Sequence, residues 1–454
     1  MQKLFDEVGS LDKRCYDEFG LSEDILMEHA AHGLASHIAH KFPKKSSVIV
    51  VCGSGNNGAD GIACARILHG EYDVGIYYAL EPKSEMAKLQ ARRAKVVGVK
   101  VIDELYESDV LVDALVGTGF RGELSPKLHV LMEIINSAKS YKIACDIPSA
   151  YAFYADITLT MGALKKDMYL DAKKEFLGKV EVVNLGVSRE VYEEDTPWNL
   201  LDYEDMKLPH REATNTHKGT YGHLSIASGS KVGASILSGL SALRFGAGLV
   251  TLVGYENENI PPSIMYTHEL PKNTTALALG MGLGDDFSDK ELAKFLDNKL
   301  PLIIDADIFN MKIVTKILQR VNLVLTPHPK EFVALLKQTS LVHISVEDLQ
   351  RNRFKYVELF MQNYPHVTLL LKGANVIIAH DAKFYINPHG SSKLAKGGSG
   401  DVLSGLIGSL LAQGYDAKDA TITASLAHTK LAQNYSGADF SLTPDDLIDG
   451  IKQL

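Results

Sequence analysis

Residues Leu394 to Gly405 read LAKGGSGDVLSG, a glycine-rich turn that runs straight into an apolar helical stretch with one carboxylate, Asp401, at its start. Successive backbone N–H groups at a helix N-terminus form an anion hole of the kind that holds a phosphate. An aspartate beside such a hole can take the proton from a hydroxyl about to meet that phosphate. The segment therefore points to phosphate chemistry on a hydroxyl. Its plainer use is a glycine-rich cap with Asp as a helix-start residue. A second glycine-rich turn is Gly53-Ser54-Gly55-Asn56-Asn57-Gly58-Ala59-Asp60-Gly61. Its G-x-G-x-x-G spacing, after a strand and opening a helix, matches the dinucleotide fingerprint. A loop meant only for pyrophosphate does not need the two asparagines or Asp60.

Other polar groups close predicted strands. Asp113 is followed by Gly117-Thr118-Gly119-Phe120-Arg121-Gly122, and Asp146 opens Asp146-Ile147-Pro148-Ser149. The C-terminal strand ends of a parallel sheet line one crevice, so Asn57, Asp113, Asp146 and Ser149 can converge. Such oxygens suit a hard cation, and a remaining carboxylate suits acid–base work. Helix caps and turns are the competing use. The C-terminal half offers HKGTYGH at 217–223, GMGLGD at 280–285, DADIFN at 305–310, LTPHPKEF at 325–332 and KGANV at 372–376. Each falls at a predicted strand-to-loop junction, so all can face one cleft with the 394–405 turn. His328 taken alone suits a structural role, as Asp305 and Asp307 suit loop caps.

The elements that must position these groups alternate. Strands are expected at 47–52, 73–80, 109–114, 142–146, 156–160 and 180–185, with a helix from Ala59 to Leu68 and helical residues at 4–40. Unbroken apolar strands alternating with helices predict a parallel sheet covered on both faces. A seam at 186–210 is acidic and proline-containing and carries the single tryptophan, Trp198. A second pattern follows, with strands at 223–228, 249–253, 275–279, 302–305, 323–325 and 367–372 and a hairpin near 376–387. Its helices are expected at 233–246, 346–363, 400–413 and 416–435. The chain thus reads as α/β throughout, with one domain over 1–200 and a second over 205–454.

At 454 residues, two or three domains are expected. A net charge of −9 disfavours nucleic-acid and anionic-membrane partners. No apolar run reaches membrane-spanning length, and Met1 to Glu7 is no secretory signal. The four cysteines lack metal-ligand spacing, so a reduced, cytoplasmic compartment is expected.

The set GSGNNGADG, DALVGTGFRG and DIPS, preceded by ILMEHAA at 25–31, resembles the YjeF N-terminal family of NAD(P)H-hydrate epimerases. The resemblance implies a Rossmann-like fold. It implies that Asn56, Asn57, Gly58, Ala59 and Asp60, with Gly117, Thr118, Gly119, Phe120, Arg121, Gly122 and Glu123, hold the hydrated nucleotide. It implies Asp146 as the catalytic acid/base and a potassium ion held by Asn57, Asp113 and Ser149. The chain departs from that family at Ala59 and Ala150, where glycine is usual, and has a shorter stretch after DIPS.

Over 205–454, HKGTYGH, DADIFN, LTPHPKE, LKGAN and AKGGSGDVLSG resemble the YjeF C-terminal branch of the ribokinase-like superfamily, the NAD(P)H-hydrate dehydratases. Lys330 and Met281 stand where glycine and proline are usual. The resemblance implies that Gly282, His328, Pro329, Lys330, Glu331, Phe332, Val333, Ala334 and Asp401 meet the hydrated nucleotide. It implies that Lys372, Gly373, Ala374, Asn375 and Val376, with Ser391, Ser392, Lys393, Leu394, Ala395, Lys396, Gly397, Gly398, Ser399 and Gly400, meet the adenine nucleotide. ADP is the expected co-substrate, Mg2+ the expected counter-charge for its phosphates, and further copies of the chain the expected protein partner. A small-metabolite kinase fused to a nucleotide-binding domain, a plain dehydrogenase domain and a non-enzymatic nucleotide sensor are the competing readings.

Overall fold

The computed structural model describes residues 1–254, 259–284 and 286–454, so Asp285 of the GMGLGD turn lies outside the described residues. Two compact units divide between Thr196 and Pro197, one spanning Lys3–Thr196 and the other Pro197–Leu454 with Met1 and Gln2.

The first unit holds a seven-stranded, all-parallel sheet. Its order is Lys100–Val101, Asp73–Tyr78, Ser47–Cys52, Val110–Ala114, Tyr141–Cys145, Ile157–Met161, Lys179–Val183. The chain enters at Ser47–Cys52, builds one edge, then returns to Val110–Ala114 on the other side. That reversal opens a crevice at the strand ends, where Cys52 pairs with Ala114. The central strands are buried on both faces, which is why they read as unbroken apolar runs. Helix was expected from residue 4. Instead Leu4 and Phe5 lie in a short parallel strand, opposite Leu164 and Lys165. The helices that follow, Gly9–Asp17 and Glu23–Lys41, are separated around Gly20, whose φ of 66° no helix continues.

In the second unit, Met265–Thr267, Leu249–Gly254, His223–Ser228, Ala276–Leu279, Leu302–Ile304, Leu323–Leu325 and Val367–Leu371 pair in parallel in that order. The hairpin Val376–His380 and Lys383–Asn387 extends the sheet antiparallel. Trp198–Leu200 then joins it beside Lys383–Asn387, a strand inside the seam that three residues could not announce by periodicity. The Trp198 ring stacks on Phe384 at 4.4 Å, and its Nε1 donates to Glu358 Oε1 at 2.9 Å. The helix expected over 346–363 is two, Val346–Arg351 and Arg353–Asn363, broken at Asn352 with φ −132° and ψ 36°. Helix Ser399–Ala412 is buried along almost its whole length. A Cβ on Gly405 would lie 2.1 Å from Ser238 O, so glycine alone lets this helix approach Val232–Arg244 so closely. Among the described residues no helix is long and apolar enough to cross a membrane.

Candidate active sites

In the first unit, a cavity of about 610 Å³ opens at the strand ends. Ser54 to Asn57 of the first glycine turn, Gly117 to Phe120, Asp60, Asp146 and Asp12 line it. A Cβ on Gly53 would lie 1.7 Å from Leu115 O, so only glycine lets the first turn pass beneath the second. Asn57 lines the cavity with both side-chain amide atoms buried and without a hydrogen-bond partner. Behind it Asp113 is fully buried and accepts from Ser149 N at 2.8 Å and Ser149 Oγ at 2.6 Å. Burial pushes the Asp113 carboxyl up to about 6, against the pull of those bonds. Gly58 and Ala59 are buried beneath the turn, whereas Arg121, Gly122 and Glu123 are exposed and do not line the cavity. Arg121 closes its own loop by donating to Thr118 O and Phe120 O.

Asp146 sits in the left-handed region at φ 69°, a strained conformation that aims its carboxylate at the cavity. Its Oδ1 accepts from Lys165 Nζ at 2.6 Å, from Met161 N at 3.0 Å and from Thr160 Oγ1 at 3.4 Å. Asp60 faces the same space. Burial pushes its carboxyl well above the usual range, and Asp146, Asp12 and Glu23 add repulsion. Asp146 thus lies beside a buried ammonium, whereas Asp60 is favoured as the neutral acid. Sequence reasoning missed Lys165 and Asp12. Lys165 stands in an ordinary Leu-Lys-Lys run, and no spacing rule marks it.

After DIPS the chain turns sharply, with Ala150 at φ 54° and Tyr151 at φ 49°. Asn136 pins the turn, donating to Ala152 O at 2.8 Å and accepting from Tyr154 N at 2.9 Å. Ala150 thus occupies a glycine-type conformation without being glycine. Ala150→Gly should stabilise this unit by about 1 kcal/mol, because the left-handed region penalises a Cβ. A denaturant midpoint that fails to rise would contradict this.

In the second unit, Asp305 ends Leu302–Ile304 and is buried. It accepts from Lys372 Nζ at 2.7 Å and from Ser404 Oγ at 2.7 Å. The Lys372 ammonium lies 3.4 Å from where a Cβ on Gly400 would sit, so its charge stands over the glycine turn. Gly398, at φ 89°, caps helix Ser399–Ala412, and Asp401 lies in its first turn. Burial pushes the Asp401 carboxyl up to about 6, with Asp305 adding to the rise and Lys372 opposing it. His328 starts helix Pro329–Gln338 in a reciprocal cap: its Nδ1 accepts from Lys330 N at 3.1 Å, and its N donates to Glu331 Oε2 at 2.8 Å. Burial pushes Glu331 up to about 7.

The other implied residues divide by position. Gly284 N donates to Asp307 Oδ2 at 3.0 Å, which holds the 280–284 turn against the 305–310 loop. Phe332 is fully buried in the core against Phe360. Gly373 and Ala374 are exposed, and Asn375 is buried. Lys393 and Lys396 donate to the carbonyls of Tyr435 and Phe440, anchoring the glycine loop from beneath. Ser399 Oγ lies 3.1 Å from His428 Nε2, and burial holds His428 down at about 4, neutral at pH 7. Sequence reasoning missed Arg353, a fully buried guanidinium that donates to Leu371 O, Lys372 O and Asn375 O and so fixes the KGAN turn. Among the described residues no group of three or more His, Cys, Asp or Glu is placed to hold a metal.

Residues 224–453 match the family described as NAD(P)H-hydrate dehydratase, and residues 23–167 match YjeF-related protein N-terminus. The bifunctional NAD(P)H-hydrate repair enzyme of Helicobacter pylori is 42% identical, with 100% of each chain covered. That of Coxiella burnetii is 31% identical over 96% of each. Among solved structures, an ADP/ATP-dependent NAD(P)H-hydrate dehydratase from Bacillus subtilis is 27% identical and covers 56% of this chain and 96% of its own, at a TM-score of 0.48. Matched along its whole length, the chain belongs to the family of bifunctional NAD(P)H-hydrate repair enzymes.

Proposed function

We propose that the chain returns hydrated NADH and NADPH to their reduced forms through two activities, one in each unit. The observation that carries this is the placing of Asp401 at a glycine-capped helix start under the Lys372 ammonium. Water added across the nicotinamide ring leaves a hydroxyl on the carbon beside the ring nitrogen. Asp401 takes that hydroxyl's proton, and the oxygen accepts the terminal phosphoryl group of ADP. The N–H groups of the turn and Lys372 stabilise the moving charge. Hydroxide is a poor leaving group and phosphate a good one: the ring nitrogen's lone pair expels phosphate, the neighbouring carbon then loses a proton to solvent, and the ring double bond is restored, with AMP and phosphate as the other products. Mg2+ would arrive on the nucleotide phosphates, since the described residues build no cage for it.

The first unit supplies the epimer that the second accepts. Asp146 moves a proton at the hydrated carbon's hydroxyl while that carbon exchanges faces. The partnerless Asn57 amide and the buried Asp113 and Ser149 fit a potassium ion. Asn57, Asp113 and Ser149 would hold it, and it would supply positive charge for the nucleotide's phosphates.

Asp401 works as a base only when ionised. A carboxyl raised to about 6 is protonated below that pH. Dehydration kcat/KM is therefore expected to fall tenfold per pH unit below about 6. A rate flat down to pH 5 would remove Asp401 from this role. A stable phosphorylated product in place of the reduced nicotinamide would make the second unit a kinase instead.

A further inference from the structure

We propose that Lys165 is a positioning residue for epimerisation: its buried ammonium fixes Asp146 through Oδ1 and leaves Oδ2 as the oxygen that meets the substrate. The inference rests on the reading of Asp146 as the proton-moving group.

Lys165 is 3% exposed, an unusual place for an ammonium, and Asp146 is the one carboxylate it bonds among the described residues. Its remaining donors are used on Thr160 Oγ1 at 2.8 Å and Met161 O at 3.2 Å, so the head group has one orientation. Its backbone is equally fixed, because Lys165 pairs in parallel with Phe5 in the N-terminal strand. Every hydrogen bond to the Asp146 carboxylate among the described residues falls on Oδ1. Among those residues Oδ2 accepts none, and Asp146 lines the cavity.

A carboxylate held by three donors at one oxygen presents the other in a single direction, which is what proton transfer needs. Oδ2 takes the hydroxyl proton as the carbon–nitrogen bond opens to an aldehyde, the bond's electron pair passing to the ring nitrogen and its conjugated carboxamide. When the nitrogen closes on the other face, Oδ2 returns the proton to the same oxygen. No atom is gained or lost. A buried pair is a poor source of stability, and two packed apolar side chains would serve a purely structural purpose as well.

The test uses the full-length protein and assays both activities. Lys165→Met should lower epimerisation kcat about 100-fold with KM within about twofold, and leave dehydration unchanged. Lys165→Ala should be rescued at least about tenfold by methylammonium or ethylammonium, which can re-enter the space vacated by the side chain. Lys165→Arg, which keeps the charge, covers the case in which the uncharged variants fail to fold, and should retain more kcat than Met. Full activity in Lys165→Met, or loss in all three variants with no amine rescue, would overturn the proposal. Asp146→Asn, run in parallel, separates the two levels: if it keeps epimerisation, the reading of Asp146 fails first.

Discussion

Asp401→Asn should abolish dehydration, lowering kcat by about 10³-fold or more, while epimerisation continues at its original rate. Removing a positioned general base costs about 10²–10⁴ in rate, some 3–5 kcal/mol of barrier. Asparagine keeps the shape of the side chain, and the backbone carbonyl that accepts from Ser238 Oγ at 2.8 Å is untouched. The same substitution should make the protein more stable at pH 7. The Asp401 carboxyl is raised from 3.8 to about 6 on folding, so its charge opposes folding above that pH, and the cost disappears as pH falls through about 6 toward 3.8. A neutral amide avoids it, a gain of up to about 3 kcal/mol. Loss of activity with a gain in stability is the mark of a group kept for chemistry. Thermal unfolding and single-epimer dehydration assays on one preparation check both halves. A variant that loses both activities while folded would dissolve the two-site assignment.

Asp146→Asn should do the reverse for function, cutting epimerisation about 10²–10⁴-fold and sparing dehydration. Its effect on stability has the opposite sign from that of Asp401→Asn. Lys165 Nζ would remain buried against a neutral amide, and breaking a buried pair from one side costs about 3–5 kcal/mol. The first unit should therefore unfold earlier. Dehydration of the competent epimer, measured on the same sample, shows that the second unit stays intact. An Asp146→Asn protein that still epimerises would move the proton transfer to another group of the cavity, with Asp60 the first candidate.

The sequence made the two glycine turns and the acids at strand ends readable, because those features depend on local chemistry. A strand that closes in Asp and a glycine turn that opens a helix can be recognised without knowing their neighbours. Lys165, Asp12 and Arg353 could not be read that way. Each is an ordinary charged residue whose meaning comes from distant partners: Lys165 from Asp146, Arg353 from carbonyls 18 and more residues away. Short strands such as Trp198–Leu200 and Leu164–Lys165 are too brief for period-2 alternation, so register with a neighbour alone defines them. Phe332 shows the converse: a residue inside a recognised motif whose side chain serves the core.

The most direct measurement is recovery of reduced-nicotinamide absorbance from a mixture of both hydrate epimers, supplied with ADP and in parallel with ATP. Full recovery with ADP, beyond the share of the dehydratase-competent epimer, is expected, because two sites then act in sequence. Recovery that stops at that share would contradict the epimerase assignment, and no recovery with either nucleotide would contradict the repair function itself.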